Sequence, residues 1–138
     1  MTDMTDMRRH VWSQTLALLG RVALQVNRAS AGDADSIHDL RVSIRRLGRC
    51  LRVFSTFYPG CSWKTLREQL RVLMTAAGTA RDYDIAMDLL GEAGVAPGSA
   101  IVKRLALERL QAREALALEI HRWQSGDLSR TWRSRLEL

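Results

Sequence analysis

Apolar residues recur at helical spacing along nearly the whole chain, and no sustained alternation of apolar and polar residues argues for a strand. Trp12, Leu16, Leu19, Ala23 and Val26 share one helical face, which predicts a first helix ending near Ala31-Gly32-Asp33. Ser36-Ile37-His38-Asp39 then supplies a start signal, with Ser36 as N-cap and Asp39 as its capping-box partner, for a second helix running to about Phe57 and stopped by Pro59-Gly60. Ser62 can cap a third helix with Trp63, Leu66, Leu70, Leu73 and Ala77 on its apolar face. A kink is expected at Gly78, after which Ile85 and Leu89 resume that face. Gly91, Gly94, Pro97 and Gly98 mark a loop, and Ser99 caps a fourth helix through Trp123. Ser125-Gly126-Asp127 breaks the pattern, and Leu128, Trp132 and Leu136 predict a short C-terminal helical segment. Four long amphipathic helices joined by short loops predict an all-α fold, an antiparallel four-helix bundle built as one domain over residues 1–138.

A chain of 138 residues, 46% of them hydrophobic, can bury a core without staples. The cysteines agree, since Cys50 and Cys61 form neither a CxxC pair nor a Cys/His cluster, and both are expected to be reduced and structural. No apolar run approaches the ~20 residues needed to cross a bilayer. The charged N-terminus, Met1 to Arg9, is not followed by the apolar core of a signal peptide, so a cytoplasmic protein without membrane partners is expected.

Of the 21 basic residues only Lys64 and Lys103 are lysine, in a chain of net charge +6. A guanidinium presents a planar fork of donors that matches phosphate oxygens, whereas an ammonium is a hydrated point charge. A genome rich in G and C would favour the same ratio, so position has to carry the argument. On the second helix, His38, Arg41, Arg45, Arg49 and Arg52 fall within a sector of roughly 80°, a line about 21 Å long with Arg46 on its shoulder. The apolar stripe Ile37, Leu40, Ile44, Leu47, Leu51 and Phe54 runs beside it, which puts the basic line at the edge of a groove. Lys64, Arg67, Arg71, Gly78 and Arg81 repeat the spacing on the third helix, and Arg109 and Arg113 extend the set to the fourth. The second helix places no acid after Asp39 to relieve repulsion between its arginines, so a neighbouring helix or a ligand should compensate.

A stripe of this shape asks for a long, linear anion with oxygens on all sides and no bases to read, and inorganic polyphosphate fits. Nucleic acid is the weaker candidate, because the second helix carries no Asn, Gln, Trp or Tyr of the kind that reads or stacks on bases. A module that docks on a granule or a partner through an apolar face is a third reading. His38 lies beside arginines in a first helical turn, where the positive surroundings favour its neutral form. A bound polyanion would reverse that, so binding should strengthen as pH falls toward about 6. The carboxylates of Arg81-Asp82-Tyr83-Asp84 lack further ligands at useful spacing, so no metal is expected. His38-Asp39 lacks the additional His and Asp ligands of a metal-dependent phosphohydrolase. With no nucleophile elbow or Gly-rich phosphate loop either, neither catalytic residues nor a cofactor are expected.

The segments His38-Asp39-Leu40-Arg41-Val42-Ser43-Ile44-Arg45-Arg46-Leu47 and Gly78-Thr79-Ala80-Arg81-Asp82-Tyr83-Asp84-Ile85 resemble, in this order, the two motifs of the conserved histidine α-helical domain, or CHAD domain. The resemblance implies a helical bundle whose basic residues line a cavity, polyphosphate as ligand, no catalysis, and association with polyphosphate granules. It carries His38, Arg41, Arg45, Arg46, Arg49 and Arg52 over from the first motif and Arg81 from the second. Lys64, Arg67, Arg71, Arg109 and Arg113 rest on periodicity alone. Members of that family usually hold two similar four-helix halves, and this chain resembles the first. Either two chains pair as a homodimer that rebuilds the second half, which is the favoured expectation, or the chain is a fragment or a solitary half-domain.

Overall fold

A computed structural model describes residues 4–126 and 128–138, and every regular element in them is helical. The order is α1 (Met4–Ala29), α2 (Ala34–Val53), a single 3-10 turn at Ser55–Phe57, α3 (Ser62–Glu92), α4 (Ala100–Ser125) and α5 (Leu128–Arg135). Helices adjacent in sequence pack as neighbours, α4 returns against α1 to close the bundle, and α5 lies on α1 and α4. The short connections force this antiparallel order. Asp127, part of the expected break, lies outside the described residues, as do Met1, Thr2 and Asp3.

The core follows the apolar stripes. Leu19, Val22 and Val26 of α1 meet Ile37, Leu40, Leu47 and Leu51 of α2, with Leu66, Leu70, Leu73 and Ala77 of α3, Leu116 and Ile120 of α4, and Trp132 and Leu136 of α5. Removing each Leu or Ile side chain from water contributes ~1.5–3 kcal/mol, enough to fix which face of each helix turns inward. Inward and outward are thereby set for the basic residues too.

Several expected boundaries shift. Asp33, not Ser36, caps α2: its carboxylate accepts the Ser36 N–H at 3.1 Å and the Ser36 hydroxyl at 2.6 Å, so the helix starts at Ala34. The chain leaves α-helical geometry at Val53 rather than Phe57, and Cys61 precedes α3, with Ser62 already its first residue. Helix α3 runs unbroken through Gly78, and its inner face continues through Ala80 and Asp84, while Ile85 and Leu89 are exposed. On α1 the buried line is Val11, Thr15, Leu19, Val22 and Val26, with Trp12, Leu16 and Ala23 only half-buried.

Thr15 is buried because its hydroxyl is satisfied. It donates to the Val11 carbonyl at 2.7 Å, so the Tyr58 hydroxyl 2.6 Å away donates to it, with the Cys50 thiol 3.6 Å from Thr15. Burial pushes the Tyr58 phenol above its ordinary value and keeps it a donor. This contact anchors the α2–α3 connection to α1 and so holds α3 alongside α2. Cys50 is buried and Cys61 exposed, both as free thiols.

Candidate anion-binding groove

Once Ile37, Leu40, Ile44, Leu47 and Leu51 dock into the core, the basic line of α2 is left at the side of the helix. His38, Arg45, Arg46, Arg49 and Arg52 are exposed, and Arg41 is half-buried. Among the described residues no carboxylate forms an ion pair with Arg41, Arg45, Arg46, Arg49 or Arg52; on the facing α3, Glu68 pairs with Arg71 and Asp84 with Arg109 and Arg113. Arg41 reaches toward α3, where its Nη2 lies 4.0 Å from the position a Cβ on Gly78 would take. Its Nε is shut off from solvent and finds no acceptor among the described residues.

Between α2 and α3 runs a groove of about 430 Å³. Ile44, Gly48, Leu70 and Met74 contribute apolar lining, and Arg45, Lys64, Arg67 and Arg71 contribute the charge, so the two basic lines do face one another at this level. Gly48 leaves the α2 wall without a side chain between Arg45 and Arg52. Lys64 Nζ sits 5.6 Å from the centroid of the Trp63 ring, a cation–π contact that steadies a flexible side chain. The one acid in the lining is Glu68, whose Oε1 is 2.6 Å from Arg71 Nη2. That pair joins i and i+3 of one exposed helix face, where such bridges contribute little and reopen easily. Arg46, Arg49 and Arg52 lie outside the groove lining and extend the positive surface along α2.

The arginines of α4 are placed differently. Asp84 Oδ1 accepts Arg109 Nε at 2.7 Å and Arg113 Nη2 at 3.0 Å, and the carboxylate is 6% exposed. Asp84 therefore orients two arginines of another helix, a role its neighbours in sequence do not reveal. Arg81, half-buried, lies between Gly78 and Asp84 on α3. Glu108 binds Arg104 Nε at 3.1 Å, and a hydrogen bond to Glu108 raises the Tyr83 phenol above its ordinary value, tying α3 to α4 beside the Asp84 pair. No three His, Cys, Asp or Glu side chains come together among the described residues as a metal site would require.

The chain is thus an all-α bundle with an arginine-rich groove along one helix pair and an arginine pair held by a buried acid on the next. The family model for the CHAD domain matches residues 15–137, nearly the whole chain, and the protein belongs to that family. No curated protein and no solved structure gave a match. No helix among the described residues is long and apolar enough to cross a membrane.

Proposed function

We propose that this protein binds inorganic polyphosphate in the α2–α3 groove and along the outer arginines of α2, without making or breaking a bond. The observation that carries this reading is the basic line of α2, none of whose arginines forms an ion pair among the described residues. Like charges at i,i+4 cost a few tenths of a kcal/mol per pair, and no ion pair to the α2 arginines among the described residues offsets that cost. An extended polyanion laid along the line would supply acceptors for every guanidinium at once, and would release its condensed counterions as it did so. Membership of the CHAD family supports the same ligand and would bring the protein to polyphosphate granules.

Beyond Asp84 the α3–α4 hairpin carries no buried residue up to Gln111, and Ile85, Leu89, Ile101, Leu107 and Leu110 are exposed on it. Apolar surface on a two-layer element calls for cover, and a second copy meeting it twofold would double the basic surface in one assembly.

The test is Arg45→Glu combined with Arg49→Glu. Polyphosphate binding should fall by at least about 100-fold, the direction counterion release dictates, with the helical circular dichroism unchanged. Retained affinity would move the site to another surface.

A further inference from the structure

The inner stripes of α3 and α4 change character at the same level. On α3 the buried run Leu66, Leu70, Leu73, Ala77 and Ala80 ends in Asp84. On α4, reading back from Trp123 through Ile120, Leu116 and Ala112, the same face continues into Arg113 and Arg109. A charged layer thus replaces the apolar one where the hairpin leaves the bundle. A buried carboxylate is tolerated only when it is paired, and here one carboxylate holds two guanidiniums, leaving a net positive charge in the layer.

The pairing also leaves donors over. Asp84 takes the Nε of Arg109, so both Nη groups of that fork are free of acid partners, and it takes one Nη of Arg113. The two side chains remain 35% and 39% exposed, with Arg109 held at its Nε and Arg113 at one Nη, while Arg113 Nε is buried without a partner. A fork already held in place loses less conformational freedom when it binds an anion than a free surface arginine does.

We infer that Asp84 is a positioning residue that presents Arg109 and Arg113 as a preset fork for a phosphoryl group, a second station for the chain that enters the α2–α3 groove. This rests on the polyphosphate reading. The groove ends on α3 at Met74, ten residues before Asp84, and at 1.5 Å per residue the two stations lie about 15 Å apart along that helix. A long polyphosphate spans both, and tripolyphosphate occupies only one.

Asp84→Asn separates this from plain electrostatics, because it removes a negative charge and would by charge alone tighten binding of any polyanion. Affinity for long-chain polyphosphate should instead drop about fivefold or more, with tripolyphosphate binding changed less. In the wild type, the Arg109 and Arg113 Nε–H signals in 15N NMR should shift on adding long-chain polyphosphate. This second readout decides the matter if Asp84→Asn proves too unstable to assay. Equal or tighter long-chain binding by a folded Asp84→Asn protein, or Nε–H signals that do not move, would overturn the second station. If that happens while Arg45→Glu with Arg49→Glu still abolishes binding, the groove stands and only the station falls. A wild type that binds neither chain length removes the polyphosphate reading and the station together.

Discussion

Among the described residues the arginines of α2 form no ion pair, whereas Arg109 and Arg113 of α4 close on Asp84, 2.7 and 3.0 Å away. Both sets flank the inner stripe of an amphipathic helix, so local sequence does not separate them. The difference lies in what the facing helix offers. Opposite α2, α3 presents Lys64, Arg67 and Arg71, and its one nearby acid, Glu68, is spent on Arg71 of its own helix. Opposite α4, α3 presents a buried carboxylate. Uncompensated arginines keep their whole charge for a partner outside the fold, whereas Arg109 and Arg113 stabilise the fold through Asp84 and offer only the donors it leaves over.

The largest effect that can break this comparison is on stability. Asp84→Ala leaves two guanidiniums without their acceptor and should cost about 2–3 kcal/mol in urea unfolding, less than a fully buried pair would because both arginines reach solvent. Arg49→Ala, on the unpaired line, should be neutral or stabilise by a few tenths of a kcal/mol by removing repulsion. Equal losses in the two variants would mean that the α2 line has a partner of its own.

Arg41 sharpens the contrast. Arg41→Met keeps the aliphatic stem and removes an Nε that has no acceptor, so the free protein should gain about 0.5–1 kcal/mol while polyphosphate affinity falls. Stability and binding moving in opposite directions is the mark of a residue retained for its ligand. A variant that lost both would make Arg41 a structural residue.

The smallest effect is at the start of α2. The hydroxyl and N–H of Ser36 hold the Asp33 carboxyl below its ordinary value, so its cap stabilises the fold above the unfolded value of about 4 and is lost as pH falls through the lower folded value. The advantage in Tm of wild type over Asp33→Ala should therefore be full at neutral pH and shrink below about pH 4. A gap that is constant down to pH 2 would show that the carboxylate is not what caps the helix carrying the basic line.

Much of this was legible before the structure. The all-α fold, the cap at Ser99, and the basic line of α2 beside its apolar stripe follow from periodicity, because one face of each helix is dominated by a single kind of side chain. The inner face of α1 was misplaced because Thr15, polar by type, is buried through hydrogen bonds to Val11 and Tyr58 that sequence spacing does not show. The α2 cap was displaced by three residues because Asp33 and Ser36 both stand at capping positions, and only the hydrogen bonds choose between them. Asp84 was hidden for a different reason. Its partners lie 25 and 29 residues away, so the register of the α3–α4 hairpin decides the pairing. The one available signal is a charged residue in phase with Leu66, Leu73 and Ala77, and the apolar Ile85 and Leu89 nearby point to a different inner face.

The most direct test of the central claim is a competition at physiological salt, in which labelled long-chain polyphosphate on the wild-type protein is displaced by unlabelled polyphosphate, DNA or RNA at matched phosphate concentration. Displacement by polyphosphate at concentrations where nucleic acid leaves the complex intact is the predicted result. Equal displacement by DNA or RNA would contradict it and reduce the arginine line of α2 to a general polyanion surface.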